Sequence, residues 1–171
     1  MTEQNEDNPR FLILMRHAKS DWDDASLSDH DRPLNDRGRR AAPAMARWLE
    51  QQTMIPDLIL SSTSTRTRET VDRMVEQWAT PPNTHFQESL YLAGADTILN
   101  AAKEHAGDVS RVMVVAHNPG MAYVVGALSQ KHADMPTAAI AIFQLHPFQE
   151  WSDLDANTPM ELVHSMRPKA L

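Results

Sequence analysis

Two apolar runs in this chain each end in a histidine. "RFLILM" leads directly into Arg16 and His17, and "RVMVVA" leads into His117 and Asn118. A third run, "DLILSS", opens onto the polar stretch from Ser61 to Arg66. An imidazole titrates near neutrality, so it can serve as nucleophile, base, acid or metal ligand. A single strand-end histidine is most often structural; two of the same design are harder to dismiss. Arginine beside histidine narrows the chemistry. A guanidinium grips phosphate in bidentate fashion and is a poor neighbour for a divalent metal. No carboxylate or second histidine stands at ligand spacing near His17, so no metal and no cofactor are expected.

The elements that would position these residues follow from the pattern. "RFLILM" and "RVMVVA" read as strands buried on both faces, and "DLILSS" as another. Ala18 to Pro33 is polar, rich in Asp and Ser, and without helical periodicity, so a long loop is expected. Asn35 is placed to cap a helix over "DRGRRAAPAMARWLEQQ", with Ala41, Met45, Trp48 and Leu49 on one side and Pro43 in the first turns. "STRTRETVDRMVEQWA" predicts a helix that Pro81 and Pro82 end. "THFQES" is a candidate third short strand. "ADTILNAAKEHA", closed by Gly107, and "GMAYVVGALSQ" are further helices. "AAIAIFQLH" and "MELVHSM" are expected as two late strands. Strand and helix alternate for most of the chain, which predicts an α/β fold: a three-layer α/β/α sandwich with a mostly parallel central sheet. Ligands bind such sheets beyond the carboxyl ends of the strands, where all three polar stretches fall.

Composition sets limits. The 171 residues fit one domain, expected over 10–171 after a frayed tail at 1–9. The net charge of −7 argues against a general nucleic-acid binder. The chain has no cysteine, which excludes disulfide and thiolate chemistry and suits a reducing cytoplasm. No apolar run approaches a membrane span, and "MTEQNEDNPR" lacks the pattern of a signal peptide.

The motifs resemble those of a known family. "LMRHAKSDW" looks like the RHG strand of the histidine phosphatase superfamily (branch 1, phosphoglycerate mutase-like), with Ala18 where glycine is commoner. "LSSTSTRTRET" is similar to its S-S-P-x-x-R-A-x-x-T segment, with Thr63 for proline and Thr67 for alanine. "VVAHNPG" resembles its second histidine segment, and "DRPLNDRG" the stretch that opens its first helix. The forms "RHAKSDW" and "HNPG" look most like small phosphohistidine phosphatases of the SixA type. The resemblance implies a phosphoglycerate mutase-like fold and a covalent mechanism. His17 would be the nucleophile that becomes phosphorylated. Arg16 and Arg66 would bind the phosphoryl oxygens, and His117 would complete the pocket, with Asn118 as a further substrate contact. Arg68 falls on a variable position. Asp23 stands where some relatives carry a phosphate-binding asparagine, and an acid there is assigned no phosphate contact.

Charge explains the rest. Two arginines and a second histidine would neutralise a transferring phosphoryl group. In-line attack needs a neutral His17 with one nitrogen aimed at phosphorus and the other holding its proton on an acceptor. Glu88, after the third strand, is the leading candidate proton donor, with Asp21 and Asp31 as weaker ones. The remaining Asp cluster of the first loop reads as solvated. No long insertion follows Leu92 to form a lid, so an open site is expected, suited to a phosphorylated protein. Phosphate or sulfate would also fit the site. A small-molecule phosphomonoesterase is the alternative, and a non-catalytic phosphate-binding module is the alternative of another class.

Overall fold

The computed structural model describes residues 8–171. Most of the expected N-terminal tail (1–7) therefore lies outside the described residues. Six strands form one sheet: β1 (Phe11–Arg16), β2 (Leu58–Ser62), β3 (Asn83–Gln87), β4 (Arg111–Ala116), β5 (Ile140–Gln144) and β6 (Glu161–Met166). Four helices accompany them: α1 (Asp36–Gln51), α2 (Thr65–Val75), α3 (Ala95–His105) and α4 (Gly120–Ser129). The spatial order is β3-β2-β4-β1-β5-β6. The first four strands in that order run parallel; at one edge β5 pairs antiparallel with β1, and β6 pairs antiparallel with β5.

The near-continuous apolar sequence of β1, β2 and β4 follows from burial on both faces. Successive side chains point to opposite faces, so each strand feeds two cores. Leu12, Leu14, Leu60, Val112 and Val114 pack toward α3 and α4. Ile13, Met15, Ile59, Met113 and Val115 pack toward α1 and α2. Each fully buried side chain of this kind contributes about 1.5–3 kcal/mol. The result is a rigid slab whose carboxyl edge can hold side chains in place.

Local rules explain the helix ends. The Asn35 side chain accepts from the Gly38 amide at 2.9 Å and caps α1 as expected. Glycine is required at Gly38, because a Cβ there would collide with the Lys19 backbone that follows β1. Gly107 takes φ +56° just past α3, the position that ends a helix in the left-handed conformation. Two expectations need correction. Pro43 lies well inside α1 rather than in its first turns. The helix continues through it because Ala42, Met45, Ala46, Trp48 and Leu49 are all buried there. Helix α2 stops at Val75 rather than running to Ala79; the Glu76, Gln77 and Trp78 amides bond back in turns and Trp78 tucks into the core.

Candidate active site

Register brings the two histidines together. Arg16 pairs with Ala116 across parallel strands β1 and β4, so His17 and His117 leave neighbouring strands at the same level. Their ring centroids are 5.1 Å apart. On the other side of β4, Ser61 of β2 pairs with Val115, which places Ser62 and the start of α2 beside His117. Arg66 sits in the first turn of α2 and is buried. Arg16, His17, Arg66 and His117 line one pocket of about 170 Å³. Lys19, Ser20, Arg32, Asn118 and Thr137 complete its wall, together with the exposed side chains of Trp22 and Leu92.

His17 is held as a neutral imidazole. Its Nδ1 lies 2.7 Å from the Ala18 carbonyl oxygen. A carbonyl can only accept, so Nδ1 carries the proton and Nε2 keeps its lone pair. That lone pair meets the Arg66 Nε–H at 3.3 Å. The His17 pKa is lowered to about 3, first by burial and then by His117, Arg66 and Arg16; the Ala18 carbonyl opposes the shift. His117 takes the other tautomer. Arg66 Nη2 donates toward its Nδ1 at 3.3 Å, and its Nε2–H donates to Ser62 Oγ at 2.7 Å. Its pKa is also lowered to about 3, chiefly by burial and next by Arg66.

A pH expectation follows. His17 is neutral above its pKa and is protonated only as pH falls through about 3. With a substrate of constant charge, kcat/KM is therefore expected to lose nothing to His17 between about pH 7 and pH 5. A loss centred on the ordinary imidazole pKa of about 6.5 would show that the ring is not held neutral.

The first loop contributes more than its composition suggested. It folds back through a Ser20–Leu34 bridge and the bond from the Asp21 amide to the Pro33 carbonyl. A single 3-10 turn, Asp29–Asp31, then faces α2. The Asp29 carboxylate accepts from Arg66 Nη2 at 3.1 Å and from Arg32 Nη2 at 2.9 Å, and Tyr91 Oη also donates to it. The Asp29 carbonyl takes Arg66 Nη1 at 2.6 Å. The Tyr91 hydrogen bond and the two guanidinium groups hold the Asp29 carboxyl well below the usual carboxylate range. Asp29 thus fixes the fork of Arg66 and links it to Arg32. Asp29→Asn is expected to lower kcat/KM by roughly 10-fold or more, the worth of one hydrogen bond to a charged group. Its phosphate affinity should fall in parallel, with the melting temperature nearly unchanged. A variant with wild-type kinetics would show that Arg66 needs no such brace.

Arg16 donates from Nη1 to the Met135 carbonyl at 3.2 Å. The buried Nε atoms of Arg16 and Arg32 have no hydrogen-bond partner among the described residues. Both residues line the pocket, so an anion bound there would meet donors not already committed.

The other expected site residues fall elsewhere. Asn118 lines the pocket, but its amide is engaged as a brace: Nδ2 donates to the Met135 carbonyl at 2.9 Å and Oδ1 accepts from the Ala122 amide at 3.2 Å. Glu88 is exposed, opens the 3-10 turn after β3 and does not line the pocket. Asp21 Oδ1 is taken by the Asp23 amide, and Asp31 is exposed beside His30. Arg68 is exposed and bonds the Thr63 carbonyl. Sequence reasoning missed Asp29 and Arg32. Arg32 lay within "DRPLNDRG" and carried a signal as a cation ahead of the first helix. Asp29 carried none that set it apart from its acidic neighbours. The unusual residues within the motifs have local partners. The buried Ala18 amide donates to Thr70 Oγ1 at 3.0 Å. Thr67 Oγ1 shares a buried 2.6 Å bond with Ser64 Oγ, and Thr63 Oγ1 meets His30 Nε2 at 3.0 Å.

Comparison with known proteins agrees with this geometry. Residues 12–89 match the model of the histidine phosphatase superfamily (branch 1). An uncharacterised protein of Mycobacterium tuberculosis is 31% identical over 152 residues, spanning 82% of this chain and 92% of that protein. An uncharacterised chloroplastic protein of Arabidopsis thaliana is 38% identical over 144 residues, spanning 79% of this chain and 66% of that longer protein. Among solved structures, a candidate SixA phosphohistidine phosphatase from Agrobacterium tumefaciens superposes with a TM-score of 0.79 at 26% identity, covering 95% of this chain and all of that one.

Proposed function

The chain belongs to the histidine phosphatase superfamily (branch 1), a superfamily of phosphatases, and from that footing we propose that it hydrolyses phosphohistidine carried on a protein. The observation that supports this most is the pocket itself. It is cationic, it presents the unprotonated Nε2 of a neutral histidine, and it has a volume of about 170 Å³. Pockets that enclose whole small molecules run to roughly 300–1,000 Å³. A pocket this small takes a phosphoryl group and leaves the remainder of the substrate outside, as suits a phosphate presented on a protein surface.

The chemistry runs in two displacements. His17 Nε2 attacks phosphorus in line, the substrate P–N bond breaks with its electron pair going to the ring nitrogen, and the substrate imidazole leaves neutral, keeping the proton already carried on its other nitrogen. Water then attacks phospho-His17, inorganic phosphate leaves, and the neutral ring returns. Arg16 and Arg66 offset the charge on the equatorial oxygens throughout, and His117 stands beside them as a neutral ring that lines the pocket. No step calls on a metal or cofactor. Phosphate or sulfate would bind as product or mimic. A cytoplasmic location is part of the proposal and rests on the cysteine-free composition; no helix among the described residues is long and apolar enough to cross a membrane.

The experiment is a comparison of substrates under a chelator. The purified protein is offered a phosphorylated histidine protein, sugar and nucleotide phosphates, and p-nitrophenyl phosphate. Highest kcat/KM on the phosphohistidine protein supports the proposal. A strong preference for a sugar or nucleotide phosphate replaces it with a small-molecule phosphomonoesterase. Binding of phosphate without turnover of any of them replaces it with a phosphate-binding module.

The proton donor follows from the leaving group. A protonated imidazole leaves readily, whereas an alkoxide needs an acid. Glu88 is proposed as that acid for alkyl esters only. Glu88→Gln is expected to change phosphohistidine turnover by less than about threefold and to slow alkyl phosphates more. Equal small effects on both would leave Glu88 as the exposed carboxylate its position outside the pocket describes.

A further inference from the structure

Two large apolar side chains stand in solvent at the pocket, and neither belongs to the phosphoryl cradle. Trp22 is 68% exposed and Leu92 is 56% exposed, yet both line the cavity that holds His17. Both are held firmly. The guanidinium of buried Arg32 lies 3.4 Å beneath the Trp22 ring, which fixes one indole face and leaves the residue open on its other side. Leu92 lies between Tyr91, tied to Asp29, and Ala93, which is buried. The Ala93 carbonyl abuts the first residue of α4 so closely that a Cβ on Gly120 would collide with it. Leu92 itself has φ +52°, a conformation that disfavours a residue bearing a side chain. Backbone held this way at the edge of a catalytic pocket points to a task for the side chain it projects.

We propose that Trp22 and Leu92 form a leaving-group subsite that receives the imidazole ring of the substrate phosphohistidine. The inference rests on the functional reading above. In-line attack by His17 requires the departing group to lie opposite the nucleophile. The pocket has room for the phosphoryl group, so a ring attached to phosphorus must occupy its open side. An indole face and an aliphatic side chain offer apolar and stacking contact to a flat ring. They offer nothing to ammonia or to a bare phosphate. Trp22 and Leu92 therefore set selectivity for a ring-bearing leaving group, while Arg16, His17, Arg66 and His117 perform the transfer.

The test uses two substrates with the same P–N bond, a peptide carrying phosphohistidine and phosphoramidate, whose leaving group is ammonia. Wild type, Trp22→Ala, Leu92→Ala and Leu92→Gly are compared by kcat/KM. The ratio of peptide to phosphoramidate is expected to fall by about 10-fold or more in each variant, as for loss of apolar contact in a specificity pocket. Leu92→Gly separates function from folding: glycine accepts the positive φ freely, so its melting temperature is expected to hold or rise while the ratio falls. Equal losses on both substrates, or an unchanged ratio, overturn the subsite. Failure of wild type to hydrolyse the peptide overturns the functional reading instead, and is seen before any variant is made.

Discussion

His17→Ala is expected to lower turnover by roughly 10⁴-fold or more, in line with removal of a covalent nucleophile in other enzymes. The size follows from how much of the site converges on one atom. Burial and the neighbouring cations keep the ring neutral, with a pKa of about 3. The Ala18 carbonyl fixes the proton on Nδ1 at 2.7 Å and turns Nε2 toward the pocket. Alanine removes the Nε2 lone pair and leaves Arg16 and Arg66 in place at the pocket. Phosphate should still bind, because Arg16, Arg32 and Arg66 still line the pocket. Steady-state kinetics and isothermal calorimetry with phosphate check the two halves. A variant that retained turnover would show that water, not His17, attacks phosphorus.

Arg66→Lys is expected to lower kcat/KM by ~10²-fold or more, the cost of losing a donor aimed at developing charge. Arg66 uses its whole fork: Nε toward His17 Nε2, Nη1 to the Asp29 carbonyl, Nη2 to the Asp29 carboxylate and toward His117 Nδ1. A lysine ammonium is one point charge and cannot span these positions. It would also leave Asp29 short of a partner. Arg68→Lys, two residues along the same helix, should lose less than about twofold, because surface substitutions away from such features change little. Arg68 is exposed, with its guanidinium over the Phe86 ring and its Nε on the Thr63 carbonyl. Kinetic comparison of the two variants decides between them. A large loss in Arg68→Lys with a small one in Arg66→Lys would reverse the assignment within "STRTRET".

The parts of the fold that were legible are those where one local rule dominates. Buried strands such as "FLILM" and "VMVVA" show in sequence because both faces must be apolar, and the cap at Asn35 shows because a side-chain oxygen precedes an apolar helix. Pro43 misled because proline is favoured near a helix start, whereas the buried stripe of Ala42, Met45, Ala46, Trp48 and Leu49 carries α1 across it. The pairing of Arg16 with Ala116, which brings the two histidines together, is a long-range register and cannot be read from either strand alone. The site divides the same way. Arg16, His17, Arg66 and His117 sit at strand ends or a helix start, within recognisable motifs, and meet around one pocket. Asp29 was hidden among the acids of a loop, where only folding distinguishes it from Asp23 or Asp24. Asn118 was legible as a polar residue at a strand end, but not as a brace whose amide is taken up by Met135 and Ala122.

The central claim is a covalent intermediate on one named nitrogen-bearing side chain. Wild-type protein is mixed with a phosphohistidine peptide, quenched in alkali within the first turnover, digested and mapped by mass spectrometry. One phosphoryl group is expected on the peptide that carries His17, formed and lost at rates that match turnover. Full turnover with no phosphorylated protein, or with the label on His117 or another residue, would contradict it.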